Sequence, residues 1–209
     1  MSALYIRGDT FELFGFNVSI HKGEARIFDQ TLQTDDFVLV CDGPLNDKLD
    51  DVINEAYNLH SNIMQIIRLP KNVGLGRALN IGIKHCKNEI IARMDSDDIS
   101  YPKRCEKEFE ILNKYNFDIV SATIDEFEND PLISVSKRIL PQTQDEILAF
   151  AKKRCPFNHP CVMYRKTAVE SAGGYLELYC QEDYFLWVRM LINGSKGYNI
   201  QESLLWMRV

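Results

Sequence analysis

An α/β fold built on a largely parallel sheet, with helices on both faces, is what this sequence predicts. Three observations carry that expectation. Phe37-Val38-Leu39-Val40-Cys41 is an unbroken apolar run, as expected of a strand covered on both sides. Two stretches downstream carry apolar residues at helical spacing, Leu49, Val52, Ile53 and Ala56 in one and Leu75, Ala78, Leu79 and Ile83 in the other. Over the first two-thirds of the chain the two kinds of pattern alternate as β-α-β-α-β-α-β, which the rules for connecting parallel strands favour.

Taken in order, Ala3-Leu4-Tyr5-Ile6 has strand character, and Glu24 to Leu32 has helical character, ending at Gln30-Thr31. The run from Phe37 stops at Asp42-Gly43-Pro44, a turn signal. Asn46 or Asp47 caps a helix reaching about Leu59. Met64 to Leu69 is a strand closed by Pro70, Gly74 to Cys86 is an amphipathic helix, and Asn88 to Asp95 leads a strand into a block of acids. Tyr101-Pro102 opens a helix to about Tyr115, apolar at Phe109, Leu112 and Tyr115. Phe117 to Ile124 reads as a strand, Leu132 to Ile139 as a weaker one, and Thr143 to Ala151 as a helix. Cys161 to Tyr164 is a short strand before a helix at Thr167 to Ala172 and a turn at Gly173-Gly174. Asp183 to Ile192 is the last helix, followed by strand-like Tyr198 to Ile200 and Leu204 to Trp206.

With 209 residues and 45% hydrophobic content, one compact domain spanning 1–209 is expected. A net charge of −6 excludes a nucleic-acid binder held by phosphate contacts. The six cysteines form no C-x-x-C pair and read as reduced core residues rather than zinc ligands or a disulfide frame. No apolar run approaches a membrane span, and Met1 to Ile20 has no compact apolar segment of a signal peptide. A cytoplasmic location is expected, with peripheral association at the inner membrane face left open. The aromatic stretch Phe11 to Phe16 is a candidate interface for a homo-oligomer.

The chemistry gathers at Asp95-Ser96-Asp97-Asp98, three acids in four positions at a strand end. Ligands of α/β proteins bind outside the carboxyl ends of strands. Crowded carboxylates call for neutralisation, and a hard divalent cation, Mg²⁺ or Mn²⁺, suits oxygen donors. A solvated acidic turn before a helix explains the same residues. Parallel connection would bring Asp42 to the same sheet edge as Asp95, as a hydrogen-bond acceptor for a base or ribose or as a cap for the following helix. Asn72-Val73-Gly74-Leu75-Gly76-Arg77 precedes a helix but fails the dinucleotide fingerprint, which needs glycine where Leu79 stands. What remains is a close backbone approach at Asn72 and Gly74, with Arg77 directed at a base or phosphate or simply exposed. Glu182 and Asp183 open a helix, where acids favour the dipole, and a carboxylate there can serve as a general base. His159, before Pro160, ranks below Asp183 because a lone histidine is more often structural.

In their order and spacing, VLVCDG (38–43), NVGLGRALNIG (72–82), IARMDSDDISYP (91–102), NHPCVMY (158–164) and GGY…QEDYFLW (173–187) resemble the family 2 glycosyltransferases of the GT-A fold, of the bacterial capsule and cell-surface polysaccharide type. The resemblance runs from about Gln30 to the C-terminus. It implies a nucleotide-diphospho-sugar donor, usually a UDP-sugar, a divalent metal (Mn²⁺ or Mg²⁺), and a saccharide, lipid-linked or glycoprotein acceptor. It implies Asp42 at the uracil, Asp95 near the nucleotide and metal, Asp97 on the metal, Asp183 as the base of an inverting in-line displacement, and Asn72, Gly74, Arg77, His159 and Glu182 around the substrates. Met1 to Asp29 lack a clear version of the family's first strand and loop, with Ser2 to Tyr5 as its remnant, and the chain stops at Val209 where relatives commonly continue. Two other functions fit the same acids: a sugar nucleotidyltransferase, which should carry a basic glycine-rich loop near the N-terminus, and a glycosyltransferase-like subunit that acts by binding a partner.

Overall fold

The computed structural model describes residues 1–8, 28–131, 133–178 and 180–209, with the backbone alone for 5–8. Phe11 to Phe16 lie outside the described residues, as do Glu24 to Arg26 and Ile27 of the expected early helix. The rest of that stretch is not helical: Phe28 and Asp29 form a turn, and Gln30 donates its side-chain amide to the Tyr101 carbonyl at 2.9 Å.

The described strands and helices follow the expected order. They are β1 (Ser2–Gly8), β2 (Asp36–Asp42), α1 (Asp47–His60), β3 (Met64–Arg68), α2 (Leu75–His85), β4 (Ile90–Asp95), β5 (Ile99–Ser100), α3 (Arg104–Lys114), β6 (Ile119–Phe127) and β7 (Ser136–Arg138). After them come α4 (Gln144–Ala151), a single 3₁₀ turn (His159–Cys161), β8 (Val162–Arg165), α5 (Lys166–Ser171), α6 (Glu182–Ile192) and β9 (Gly197–Arg208). Asn46, not Asp47, caps α1 by accepting from the Leu49 amide at 3.0 Å. Thr143 and Glu146 form a reciprocal capping box on α4.

Among the described residues the strands form one sheet in the order β3-β2-β1-β4-β8-β6-β9-β5, with β7 beside β6. β1 pairs in parallel with both β2 and β4, and β2 with β3. β8 runs antiparallel between β4 and β6, which restores β6 and β9 to the direction of β4. The sheet is therefore mixed but mostly parallel. The short β5 appears because Ile99 and Ser100 pair with Trp206 and Leu205. The two expected C-terminal strands are one, joined across irregular register with β6 between Ala122 and Ile124. Of the weak strand at 132–139 only Ser136–Arg138 pairs, and Leu132 lies outside the described residues.

β2 is buried along its whole length, which is why it reads as an unbroken apolar run. On one face Leu4, Val38, Val40 and Ile91 pack under Ala78, Leu79 and Ile83 of α2, with Ile147 of α4, Val169 of α5 and Leu186 and Trp187 of α6 in the same cluster. On the other face Phe37, Leu39 and Cys41 meet Ile53 and Ala56 of α1, while Ala92, Val120 and Met163 meet Cys105 and Leu112 of α3. A fully buried Leu79 contributes about 1.5–3 kcal/mol of transfer free energy. Tyr115, expected in this core, is 55% exposed because α3 ends at Lys114. The six cysteines are free; four are buried, Cys155 is partly buried, and Cys180 is exposed rather than in the core.

Candidate active site

Because β1 lies between β2 and β4 in parallel register, with Gly8 opposite Asp42 and Ile6 opposite Asp95, both acids fall at the same edge of the sheet. Their surroundings differ. Asp42 is 3% exposed and grips the loop before α2: its Oδ1 accepts from the Val73 amide at 2.7 Å and its Oδ2 from the Gly74 amide at 3.1 Å. Asn72 Oδ1 shares the Gly74 amide at 3.0 Å. Gly74 has φ +88° and ψ 150°, a region essentially closed to residues with a Cβ, and this conformation turns the loop into the helix. Asp42 thus shapes the loop that Asn72 and Gly74 form. Arg77, in the first turn of α2, is exposed and its Nε lies 2.6 Å from Glu177 Oε1, so its described partner is a carboxylate.

Asp95 is held from beneath. Arg93, with no exposed surface, donates through Nη1 to Asp95 Oδ2 at 2.8 Å and through Nη2 to Oδ1 at 2.5 Å. Residues two apart on a strand share a face, so a cation within an apolar strand two places before an acid was the signal for this pair. Both Asp95 oxygens are thereby engaged by a guanidinium. Asp97 is partly exposed on the turn beyond the strand. Asp98 is 3% exposed; its Oδ1 accepts from the Arg208 amide at 3.0 Å, and its Oδ2 is buried with no hydrogen-bond partner among the described residues. Burial, followed by the charges of Asp95 and Asp97, pushes the Asp98 carboxyl well above the usual carboxylate range.

This donor set fits a hard divalent cation of the Mg²⁺ or Mn²⁺ kind. It consists of carboxylate oxygens, one of them buried and unsatisfied, and the accumulated negative charge raises the cost of ionising Asp98. It is not a closed cage: among the described residues no group of three His, Cys, Asp or Glu side chains is disposed to hold a metal. Such ions commonly bind through one or two carboxylates and take further ligands from substrate phosphates.

Behind the acids lies an aromatic cluster. His159 Nε2 is 3.0 Å from the Tyr175 hydroxyl, and Trp187 of α6 stands edge-on to both rings, at 5.8 Å from His159 and 6.1 Å from Tyr175. Burial, with the nearby Arg93 charge second, holds the His159 imidazole well below its usual range, so it is neutral. Burial also raises the Tyr175 phenol, with Asp183 adding to the rise and Arg93 opposing it. Asn80 of α2 fixes this tyrosine's backbone, accepting from its amide at 2.8 Å and donating to its carbonyl at 2.7 Å. The approach requires Gly174, where a Cβ would meet Asn80 Oδ1 at 2.6 Å and where φ is +68°.

Glu182 and Asp183 occupy the first turn of α6. Asp183 Oδ2 accepts from the Cys155 thiol at 3.3 Å, and Tyr184 ties the helix start to α4 by donating to the Ala151 carbonyl at 2.7 Å. The fold thus sets His159 between Tyr175 and Trp187 of α6, and Asp95 on Arg93. Arg77 stays at the surface with Glu177. Tyr175 and Trp187 lie within the GGY…QEDYFLW motif but were given no role there, and Cys155 had no sequence signal that set it apart from an ordinary core residue.

Residues 20–173 match the family described as Glycosyl transferase family 2. The chain belongs to this family. It is 38% identical over 180 residues to the amylovoran biosynthesis glycosyltransferase AmsE of Erwinia amylovora, covering 86% of the chain and 66% of that protein. It is 39% identical over 181 residues to an uncharacterized glycosyltransferase of Haemophilus influenzae, again with 86% and 66% coverage. A third relative, the UDP-Gal:alpha-D-GlcNAc-diphosphoundecaprenol beta-1,3-galactosyltransferase of Escherichia coli, is 37% identical over 209 residues, covering 100% of the chain and 72% of that protein. The chain thus spans roughly two-thirds of the length of these family 2 relatives. Among solved structures, the mannosyltransferase PcManGT of Pyrobaculum calidifontis in complex with GDP-Man and Mn²⁺ superposes with a TM-score of 0.72 at 13% identity, covering 100% of the chain and 56% of its own. TarS 1-349 of S. aureus in complex with UDP-GlcNAc superposes with a TM-score of 0.70 at 15% identity, covering 100% and 58%. These structures establish the GT-A fold of this family 2 chain. No described helix is long and apolar enough to cross a membrane.

Proposed function

We propose that this chain transfers a sugar from a nucleotide-diphospho-sugar, a UDP-sugar by preference, to a hydroxyl of a lipid-linked or polysaccharide acceptor, with inversion at the anomeric carbon. One observation carries the reading: β4, which ends in the Arg93–Asp95 pair, packs on the His159–Cys161 turn, and His159 packs edge-on against Trp187 of α6, the helix that Glu182 and Asp183 open. That packing supports reading the acid at the end of β4 and the acid at the start of α6 as parts of one site. The β9 strand, which returns from the far end of the chain into the sheet that holds β1, supports reading 1–209 as one unit.

In the proposed reaction the acceptor oxygen attacks the anomeric carbon as the bond from that carbon to the diphosphate oxygen breaks. The electron pair leaves with the nucleoside diphosphate, and the acceptor proton passes to Asp183. Asp42 shapes the loop carrying Asn72 and Gly74 against the nucleoside, while Arg93 fixes Asp95 beneath the diphosphate. Asp97 is the leading candidate to hold Mn²⁺ or Mg²⁺. When bound, the ion supplies positive charge that offsets the charge on the departing diphosphate. Neutral His159 orients Tyr175 and takes no proton in this scheme. The Escherichia coli relative's name supports the donor and the stereochemistry, since UDP-galactose is α-linked and the named product is β.

The test is single-turnover transfer from saturating UDP-galactose, with Mn²⁺, to a GlcNAc-diphospho-alkyl acceptor. Asp183→Asn, first shown to bind UDP normally, should lose on the order of 10²-fold or more in rate, whereas Glu182→Gln should lose less. Adjacent helix positions point about 100° apart, so the two acids do not share the role. Transfer by Asp183→Asn at the wild-type rate would exclude it as the base.

A further inference from the structure

We infer that Cys155 is a positioning residue for Asp183, holding Oδ2 of its carboxylate so that Oδ1 is the oxygen presented to the acceptor hydroxyl. The inference rests on the reading of Asp183 as the base. Its ground is the contact between the turn bearing Cys155 and the start of α6, two segments that are also tied to each other beside it. On one side, Asn199 Nδ2 donates to the Pro141 carbonyl at 2.6 Å and the Pro156 carbonyl at 2.9 Å, and buried Asn158 donates to the Ala122 carbonyl at 2.8 Å. The turn bearing Cys155 is therefore pinned to the sheet. On the other side, the Tyr184 hydroxyl holds the start of α6 against the Ala151 carbonyl. Across this junction the Cys155 thiol faces Asp183 Oδ2 at 3.3 Å and the Phe157 carbonyl at 3.4 Å, and can donate its one proton to either.

A carboxylate on the first turn of a helix can rotate about two side-chain bonds, and productive attack requires one orientation. A donor on one oxygen selects that orientation. A thiol is a weak donor, so it orients the carboxylate while withdrawing little of the charge needed to accept a proton. Burial, with the Asp183 charge second, raises the Cys155 thiol far above its usual range, and Arg138 only partly opposes this. The sulfur therefore keeps its proton and acts as the donor.

Two measurements test this. In the transfer reaction from UDP-galactose, Cys155→Ala should lower kcat about tenfold with the KM for UDP-galactose unchanged, and Cys155→Ser, which keeps a donor, should restore most of kcat. Melting temperatures identify variants that fold. Independently of activity, alkylation of Cys155 by iodoacetamide, followed by peptide mass spectrometry, should be several-fold faster in Asp183→Asn than in the wild type, with exposed Cys180 as the unchanged reference. If Asp183→Asn transfers sugar normally, the base reading fails and the inference falls with it. If Asp183→Asn is impaired but folded Cys155→Ala keeps the wild-type kcat, the base reading stands and only the positioning role is overturned. Equal alkylation rates at Cys155 would overturn the contact itself, even if Cys155→Ala did not fold.

Discussion

Asp95 and Asp97 sit two residues apart and are held differently. Asp95 has both oxygens on a buried guanidinium, which fixes it and draws down its negative charge. Asp97 lies beyond the strand end, partly exposed. On the proposed reading of Asp97 as a metal ligand, Asp97→Asn should weaken UDP binding in the presence of Mn²⁺ by about tenfold or more, as expected when a charged ligand is lost, and leave metal-free binding alone. Calorimetric titration of UDP with and without Mn²⁺ reads both quantities, and an unchanged metal-dependent affinity would remove Asp97 from the metal site. His159 provides a second test at this scale. Its folded-state proton affinity is depressed, by burial first and Arg93 second. Between the ordinary histidine value near 6.5 and the lower folded value, the unfolded chain binds the extra proton, so stability is present above about pH 6.5 and is lost as the pH falls. The slope is up to about 1.4 kcal/mol per pH unit. Urea unfolding at pH 7 and pH 5 should show this loss in the wild type and a smaller one in His159→Gln; parallel losses would assign the pH dependence to other groups.

Among the elements, α3 departs most from the pattern of its sequence. Its apolar residues suggested a stripe through Phe109, Leu112 and Tyr115, but Tyr115 is exposed and the buried side carries Arg104, Glu108 and Leu112 at i, i+4 and i+8. Arg104 Nε lies 3.2 Å from Glu108 Oε2, and its Nη2 donates to the Arg93 carbonyl at 2.7 Å, while the Cys161 thiol faces Glu108 Oε1 at 3.4 Å. The ion pair lies within the helix, and Arg104 ties the helix to the sheet through its bonds to the Arg93 and Val162 carbonyls, alongside the packing of Leu112. Removing one partner leaves the other charge buried, so Glu108→Ala should cost about 3–5 kcal/mol, whereas the double change Arg104→Met with Glu108→Leu should cost much less. Chemical denaturation of the wild type and the two variants measures the difference. Equal costs for the single and double changes would show that shape rather than charge is what the site requires.

For the molecule as a whole, the turn that carries Asp97 is fastened by the last strand. Tyr101 stacks on Trp206 with centroids 3.6 Å apart and an interplanar angle of 14°. The Tyr101 amide donates to the Leu204 carbonyl at 3.0 Å, and Asp98 accepts from the Arg208 amide at 3.0 Å. The position of the acids thus depends on residues about 110 positions later. Trp206→Ala should lower Mn²⁺-dependent UDP affinity about tenfold, because a small displacement of a ligand-bearing turn is costly. Calorimetry on a variant with a wild-type circular dichroism spectrum would decide this, and an unchanged affinity would mean that β9 supports the sheet without setting the turn.

The sequence by itself determined the alternation of strands and helices, because a strand buried on both faces and a helix buried on one each impose a period on their apolar residues. Phe37 to Cys41 and the Leu75–Ile83 stripe show it. It also placed Asp42, Asp95 and Asp183 at the ends of elements, and an acid at a strand end or a helix start is a local feature. It did not decide which of those acids are already engaged. Asp42 is spent on the Val73 and Gly74 amides and Asp95 on Arg93, while Arg77 faces Glu177. Nor did it mark β8 as antiparallel, β5 as a strand, or Cys155 as the neighbour of Asp183. Those outcomes rest on contacts between residues far apart in the chain. The energy of such contacts comes from burial and partner geometry that exist only once the sheet has closed, so no local period or residue type records them.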